Sequence, residues 1–296
     1  MQPRKLFRLK LRSRRLILGK RTLIMGVLNV TPDSFSDGGK FFSLKSAIDG
    51  ALAMERAGAD IIDIGAESTR PGSAGISEAE ELRRLLPVLE ALRTRLKIPI
   101  SVDTQKAGVA EIALGAGAAL LNDISGLKHD PKMAKVAARF GVPLVLMHMR
   151  GTPRTMQKQP FAKNVLKDVI AGLRHSITIA RRAGVRNSQI ILDPGIGFGK
   201  SFQQNYELLA RLPELAELGY PLLVGTSRKG FLGATLASHG RSAPPEARIW
   251  GTAATVTVSI LGGAHIVRVH DVAEMAQVAK VADALRDASS HGTKHF

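Results

Sequence analysis

Eight short apolar runs, separated by longer segments of helical periodicity, constrain the fold of this chain more than any other feature. Each run ends in a polar or charged residue or is followed by one within a few positions. Apolar strands that alternate with helices require a parallel sheet covered on both faces. Eight such repeats within 296 residues match the size of a (β/α)8 TIM barrel. The predicted strands lie at residues 23–28, 60–65, 98–103, 120–124, 143–148, 189–193, 221–225 and 265–270.

The segments between these runs predict helices. Leucines within residues 82–92 recur on one helical face. Ser77 and Glu80 have the spacing of a capping box at the start of this helix, and Pro87 inside it predicts a kink or a break. A doubly wound open sheet is the alternative architecture, but no glycine-rich dinucleotide turn follows the first apolar run. The barrel is therefore the predicted fold.

The first 20 residues are basic and precede the predicted barrel. Phe7, Leu9 and Leu11 alternate with basic residues, a period of two that suits a half-exposed strand, and residues 16–19 can return as its partner. We predict a β-hairpin here rather than a mitochondrial transit peptide, which would also be rich in arginine. The chain then divides into a basic N-terminal segment, one barrel domain and a C-terminal tail, at residues 1–20, 21–288 and 289–296.

The composition favours anionic partners. Lys and Arg number 42 against 25 Asp and Glu, which gives a formal net charge of +17. Aromatic residues are only 4% of the chain, so the stacking surface that single-strand nucleic-acid binders use is poorly supplied. We interpret the charge as a solvated basic surface, and we expect small-molecule substrates rather than nucleic acid.

Two further features bear on location. The chain has no cysteine, which excludes disulfides, thiolate metal sites and a cysteine nucleophile, and which suits a reducing compartment. No uncharged apolar stretch reaches the length of about 18 residues that a membrane span needs. We expect a cytoplasmic protein without a membrane partner.

Polar side chains follow every predicted strand, at the rim where barrel enzymes have their active sites. One subset offers carboxylate, amide and ammonium groups that suit a flat, nitrogen-rich heterocycle: Asp103, Asn122, Asp193 and Lys229. A second subset suits an anionic group, because a guanidinium fork matches phosphate: Asn29, Arg70, Arg268 and His270. A pocket with both subsets would bind a phosphorylated heterocycle.

The glycine-rich segment at residues 193–201 ends in the Gly-Lys-Ser of a P-loop. The P-loop interpretation fails, because Pro194 stands where the motif requires glycine. The glycines, Gly197 among them, instead allow the backbone to approach a ligand closely, with Phe198 available to stack on it.

A metal-dependent hydrolase barrel is a competing interpretation of the same rim. His148 and His270 with Asp103 and Asp193 could be metal ligands. Such a site should also have a pair of histidines near the end of the first strand, where Asn29 and its neighbours stand instead. We therefore prefer the heterocycle pocket.

Eight motifs carry a resemblance to a known family. They are IMGVLNVTPDSFSDGG at 24–39, ESTRPG at 67–72, SVDT at 101–104, NDI at 122–124, MHM at 147–149, DPGIGFGK at 193–200, SRK at 227–229 and RVHD at 268–271. These motifs resemble those of the dihydropteroate synthases. They occur in the family's order with none missing, and the resemblance covers residues 16–288. The family implies a (β/α)8 barrel that joins 6-hydroxymethyl-7,8-dihydropterin diphosphate to 4-aminobenzoate, with release of diphosphate, in folate biosynthesis.

The resemblance also implies a role for each motif residue. Those expected to take part in catalysis are Asp103, Lys229, Asn29, Arg268 and His270. The pterin would be held by Asp103, Asn122, Asp193 and Lys229, in a slot lined by Met147 and Gly225, and Gly197 would also contact substrate. The diphosphate would be held by Asn29, Arg70, Arg268 and His270, with Asn29 also binding Mg2+. The aminobenzoate, and the sulfonamides that compete with it, would contact Thr69, Pro71, Phe198, Ser227 and Lys229.

Two expectations remain open at this point. A pterin-binding methyltransferase would keep the pterin slot, but it would have no reason for a diphosphate site at Arg268 and His270. The family is usually homodimeric, and the helix around Trp250 is the segment that we expect at the dimer contact.

Overall fold

An antiparallel hairpin precedes the barrel, as the alternating pattern predicts. The computed structural model of the chain describes residues 4–12, 14–31, 39–69, 72–156 and 163–291. The hairpin strands are β1 (Phe7–Lys10) and β2 (Arg15–Leu18). Leu9 and Leu18 are buried, whereas the basic residues of both strands face solvent.

Eight parallel strands form the barrel, and each lies within or directly beside a predicted apolar run. They are β3 Leu23–Asn29, β4 Ile61–Gly65, β5 Ile100–Asp103, β6 Leu120–Asp123, β7 Leu144–Met147, β8 Ile190–Asp193, β9 Leu223–Val224 and β10 Ile266–Val269. Neighbouring strands pair in the order β8-β7-β6-β5-β4-β3-β10-β9. A parallel bridge between Leu192 and Leu222 joins the two ends of this order and closes the barrel.

Helices surround the barrel. They are α1 Gly39–Arg56, α2 Glu78–Arg93, α3 Ala107–Gly115, α4 Lys132–Phe140, α5 Val165–Arg182, α6 Phe202–Ala210, α7 Leu212–Ala216, α8 Gly230–Thr235, α9 Ile249–Leu261 and α10 Val272–His291. Among the helices of the described residues, none combines the length and apolar character that crossing a bilayer requires.

Helix α2 begins where the capping signal predicts, but the capping box is incomplete. The Ser77 side chain accepts a hydrogen bond from Glu80 N–H at 3.2 Å. The Glu80 carboxylate does not return to Ser77, because it binds Arg83 and Arg84 instead. The helix also continues through Pro87, so the expected break is absent within it.

Two apolar cores leave one end of the barrel free for a site. The outer core lies between the strands and the helices. The inner core fills the amino-terminal half of the barrel, where Leu9 and Leu18 of the hairpin pack against inward-facing side chains such as Met25, Ile61 and Leu120. Because this end is filled, the polar inward-facing residues at the carboxyl ends of the strands line the accessible mouth.

Arginines attach the hairpin segment to the barrel. Arg4 donates to Thr22 Oγ1 at 3.0 Å and pairs with Asp283 of α10. Arg12 donates to the carbonyl of Leu114 at 2.6 Å, near the carboxyl end of α3, where a cation is favoured. Part of the basic excess of the N-terminal segment therefore fastens it to the barrel.

Candidate active site

The strand register brings predicted site residues from different motifs into one row. Asn29 pairs with Gly65, Gly65 with Asp103, and Asp103 with Asn122. These residues stand at the carboxyl ends of β3 to β6, at the rim where the sequence predicts them. The row gives the mouth a carboxylate and two amides from three separate motifs.

Arg268 reaches into the mouth and binds two carboxylates. Its Nε donates to Asp63 Oδ2 at 2.6 Å and its Nη2 donates to Asp103 Oδ2 at 2.8 Å. Arg268 belongs to the predicted anion subset and Asp103 to the predicted heterocycle subset, so the structure joins the two subsets directly. The physical reason is that a largely buried guanidinium requires a neutralising partner.

Burial controls the ionisation of Asp103. It raises the pKa of this carboxyl to about 7; the Arg268 guanidinium opposes the increase, and the negative charge of Asp63 adds to it. Asp103 therefore changes its charge close to neutral pH.

Asp63 is a site residue that sequence reasoning missed. It is fully buried, and besides Arg268 it accepts a hydrogen bond from Asn122 Nδ2 at 2.9 Å. Within the described residues, Asp63 Oδ1 and Asn122 Oδ1 have no hydrogen-bond partner. A signal existed: Ile61 points into the barrel, and because side chains on a strand alternate, Asp63 points the same way.

Lys229 and Asp193 form the opposite side of the mouth. The Lys229 ammonium donates to the carbonyl of Ile196 and lies 4.4 Å from the centroid of the Phe198 ring. Burial lowers the pKa of Lys229 to about 8, an effect that the negative charge of Asp193 opposes. Burial likewise raises the pKa of Asp193, which Lys229 opposes. The strand register places Asp193 beside Met147.

The glycines of the 193–201 segment are required by close contacts. A Cβ on Gly195 would lie 1.9 Å from the carbonyl oxygen of His148. A Cβ on Gly197 would lie 2.9 Å from Lys229 Cδ, so any side chain there would displace the lysine. These contacts explain the glycines without a P-loop.

Lys200 confirms that this segment is not a phosphate cradle of the P-loop type. The side chain is buried, and its ammonium bonds the carbonyls of His148 and Phe198 at 3.1 and 3.0 Å and His148 Nδ1 at 3.1 Å. These three contacts occupy the N–H donors of the Lys200 ammonium. Burial lowers the pKa of His148 to about 2, with the positive charge of Lys200 adding to the effect, so this imidazole is neutral at pH 7.

Ser227 and His270 link the loops that follow β9 and β10. His270 N–H donates to Ser227 Oγ at 3.1 Å, and His270 Nδ1 lies 3.0 Å from the same oxygen. Burial lowers the pKa of His270 to about 4, and the charges of Arg268 and Arg228 add to this decrease. A neutral imidazole at the rim can still donate one hydrogen bond to an anion.

The remaining predicted residues fall into four groups. Met147 and Phe198 belong to one apolar cluster at the mouth. Gly225 leaves room beside Arg268, since a Cβ there would lie 3.6 Å from Arg268 Cβ. Thr69 is half-buried after β4. The predicted residues Arg70 and Pro71 lie outside the described residues, as does most of the loop that follows Asn29.

The donor set at the mouth fits a magnesium ion that arrives with a phosphate ligand. Mg2+ prefers oxygen ligands, keeps several waters and is often shared with substrate phosphates. Asn29 supplies a half-buried carboxamide at the end of β3, and its register neighbour Gly65 has no side chain to crowd it. In the part of the chain that the structure describes, no three His, Asp or Glu side chains gather into an all-protein metal cage.

Comparisons with known proteins show the family and the fold. A family model described as pterin binding enzyme matches residues 25–270. Dihydropteroate synthase from Synechocystis sp. is 53% identical over 267 residues, which cover 90% of this chain and 91% of the relative. A solved structure of the Yersinia pestis dihydropteroate synthase with a sulfonamide drug has a TM-score of 0.88 at 44% identity, covering 95% of this chain and 100% of the other. The Xanthomonas albilineans enzyme with 4-aminobenzoic acid also has a TM-score of 0.88, at 41% identity and 95% and 99% coverage.

Proposed function

This chain belongs to the pterin-binding enzyme family as a dihydropteroate synthase, and from that premise we propose which of its residues perform each part of the reaction. The enzyme condenses 6-hydroxymethyl-7,8-dihydropterin diphosphate with 4-aminobenzoate to give 7,8-dihydropteroate and diphosphate in folate biosynthesis. The observation that carries the proposal is the contact of Arg268 with Asp103 at the carboxyl end of the barrel. This contact places Arg268, which is expected to bind the diphosphate, beside Asp103, which is expected to bind the pterin.

The pterin occupies the centre of the mouth. Asp103 and Asp193 accept hydrogen bonds from the ring N–H and amino groups. Lys229 and the remaining N–H of the Asn122 amide donate to the carbonyl and imine positions, and the Asn122 oxygen can accept from a ring N–H. The unpartnered oxygen of Asn122 supports this proposal, because a buried amide oxygen without a partner is costly unless a ligand donates to it. Asp63 holds the Asn122 amide in place through its 2.9 Å hydrogen bond.

The diphosphate lies against Arg268 and His270. Two of the five guanidinium N–H groups of Arg268 bind Asp63 and Asp103, which leaves donors for phosphate oxygens. Neutral His270 adds one hydrogen bond. Asn29 holds Mg2+, which when bound neutralises charge on the leaving diphosphate. Arg70 joins this group by its place in the sequence motif.

The aminobenzoate lies at the outer side of the pterin, next to Phe198. Lys229 and Ser227 border the same space, and the lysine ammonium over the Phe198 ring fixes the orientation of both. Thr69 and Pro71 complete this part of the site by their place in the motif. Sulfonamides, which share the shape of 4-aminobenzoate, compete for the same space.

The residues stabilise charge rather than form a covalent intermediate. As the bond between the pterin methylene carbon and the diphosphate oxygen breaks, its electron pair leaves with the diphosphate. Positive charge develops on the methylene and the ring, and the fixed Asp103 carboxylate stabilises it. The aryl amine then attacks the methylene carbon, forms the C–N bond and gives up one proton.

The test is a pyrophosphate-release assay on purified protein with both substrates and Mg2+, run with and without 4-aminobenzoate. We expect release to depend on 4-aminobenzoate. Asp103→Ala and Lys229→Ala should fold but lose turnover by about 100-fold or more, since each removes a preorganised charge. Glu214→Ala, which removes an exposed carboxylate on α7, is the control. Wild-type turnover in either active-site variant would contradict the assignment.

The chain also has a surface suited to a homodimer. Exposed apolar side chains on α9 and α10 include Trp250, Val258, Val281 and Leu285, and Trp250 is 80% exposed. The two helices pack against each other. Because large exposed apolar patches mark interaction surfaces, we propose that a second copy of the chain covers this face.

A further inference from the structure

An arginine occupies a backbone position that favours glycine, inside the turn that carries Ser227 and Lys229. Residues 226–229 form a turn closed by a hydrogen bond from Lys229 N–H to the carbonyl of Thr226 at 3.3 Å. Arg228, the third residue of this turn, has φ 59°. Turns that need a left-handed residue at this position normally use glycine, because a side chain makes the conformation less favourable. The protein must therefore hold Arg228 in place.

Helix α9 and the segment before it bind both backbone groups of Arg228. Arg228 N–H donates to Oγ1 of the buried Thr252 at 3.2 Å. The carbonyl of Arg228 accepts from Arg248 Nη1 at 2.7 Å, while Arg248 Nε donates to the carbonyl of Ala243 at 2.7 Å. The peptide groups on either side of the left-handed residue are thus fixed from outside the barrel.

The Arg228 side chain makes the third attachment, to the neighbouring loop. Its guanidinium forms a two-point ion pair with Asp271, through Nε at 3.1 Å and through Nη2. Asp271 directly follows His270, which binds Ser227. Two consecutive residues of the loop after β9 therefore bind two consecutive residues of the loop after β10.

We propose that the Arg228–Asp271 ion pair is a positioning device that holds the 226–229 turn in its left-handed form and so aims Ser227 and Lys229 at the substrates. This inference rests on the binding roles proposed above for Ser227 and Lys229. Glycine would adopt the backbone conformation without help, but it would remove the Arg228–Asp271 link between the loops after β9 and β10. An arginine held by Asp271 supplies both the turn and a link between the two loops.

The sharpest test compares Arg228→Ala with Arg228→Gly. Both variants delete the side chain and the ion pair, and they differ only in how readily position 228 adopts a positive φ. We expect kcat/KM for both substrates to be about tenfold lower in the alanine variant than in the glycine variant, since the left-handed conformation is that much less favourable for alanine. Equal losses in both variants, or no loss in either, would overturn the proposal.

A second arm removes the other partner. Asp271→Asn should lower kcat/KM in the same direction as Arg228→Ala, and adding Arg228→Gly to Asp271→Asn should restore activity to that of Arg228→Gly alone. A purely structural role would lower the melting temperature without this rescue. Failure of the rescue would overturn the proposal. Glu214→Ala is the matched control, because Glu214 forms a comparable two-point pair with Arg211 on the outer helices.

Lys229→Ala separates this inference from the proposed function. If Lys229→Ala loses turnover while alanine and glycine at position 228 behave alike, the binding roles stand and the positioning role falls. If Lys229→Ala keeps full turnover, the binding roles fail and the positioning role fails with them.

Discussion

Arg268 lies between two carboxylates, and this arrangement defines the electrostatics of the site. Asp63 and Asp103 together offset the guanidinium charge in a mouth that is largely shielded from water. Breaking such a buried cluster by removing one member leaves a charge without compensation, which is costly. Burial raises the pKa of Asp103 into the neutral range although Arg268 opposes the increase, and burial lowers the pKa of Lys229 toward the same range. Two groups on opposite sides of the mouth therefore titrate near neutral pH.

We predict that kcat/KM has a bell-shaped dependence on pH. Asp103 must be ionised, and its pKa is about 7, so kcat/KM should fall as the pH drops below 7. Lys229 must be protonated, and its pKa is about 8, so kcat/KM should fall as the pH rises above 8. The maximum should lie between these values, measured by pyrophosphate release at limiting substrate.

The variant Lys229→Arg tests whether Lys229 causes the loss of activity at high pH. Arginine stays protonated throughout the range, so the residual activity of Lys229→Arg should no longer fall above pH 8. An unchanged alkaline limb in Lys229→Arg, or a flat profile in the wild type, would contradict the assignment.

One partly buried cation, Lys106, binds carboxylates on both sides of the loop between β4 and α2. Glu67 spans this loop, since its Oε1 accepts from Ile76 N–H at 2.9 Å and its Oε2 pairs with Lys106 Nζ at 2.8 Å. Lys106, just before α3, also pairs with Glu81 of α2 at 2.5 Å, and Glu81 is fully buried. The loop that carries Thr69 and both neighbouring helices thus share one ammonium group.

We predict that the Lys106 ion pairs stabilise the folded protein. Lys106→Met should lower the free energy of unfolding by about 3–5 kcal/mol, because it leaves the buried carboxylate of Glu81 without a cation. Arg83→Met is the control: Arg83 also pairs with a glutamate of α2, but its side chain is 56% exposed, and its loss should leave the unfolding midpoint close to that of the wild type. Urea unfolding at equal m-values measures both changes. Similar midpoints for the two variants would refute the role of Lys106.

The molecule as a whole has a filled end, an open end and one exposed apolar side. The hairpin closes the amino-terminal end through Leu9 and Leu18, and the proposed site lies at the other end. Trp250 on α9 marks the apolar side, and two residues further along the same helix Thr252 binds the Arg228 backbone. Helix α9 therefore contributes to the proposed dimer face and also contacts the 226–229 turn.

Cytoplasmic location stays a prediction from composition.

We predict that the protein is a homodimer. We expect the wild-type mass to be twice 31.7 kDa by light scattering, and we expect Trp250→Glu to be monomeric because it places a charge in the apolar face. Ile112→Glu on α3, an exposed apolar position away from that face, should remain dimeric. A monomeric wild type, or a dimeric Trp250→Glu, would overturn the proposed interface.

Much of the site could be predicted from sequence because the relevant signals are local. A run of apolar residues predicts a strand, and the polar residue that ends it predicts a rim position; Asp103 and Asp193 follow from that rule alone. Asp63 did not follow from it, because it lies inside its strand rather than at the end. Its role depends on Arg268, which is 205 residues away in the chain.

The sequence by itself determined the order of strands and helices, the hairpin, the family and the chemical types at the rim, since these depend on periodicity and on motifs read along the chain. Only the tertiary structure decided which groups touch. It placed Arg268 on Asp63 and Asp103, occupied the Lys200 ammonium with carbonyls, and paired Arg228 with Asp271. The physical reason is that ion pairs and burial depend on strand register and on contacts between distant segments, which exist only when the barrel has closed.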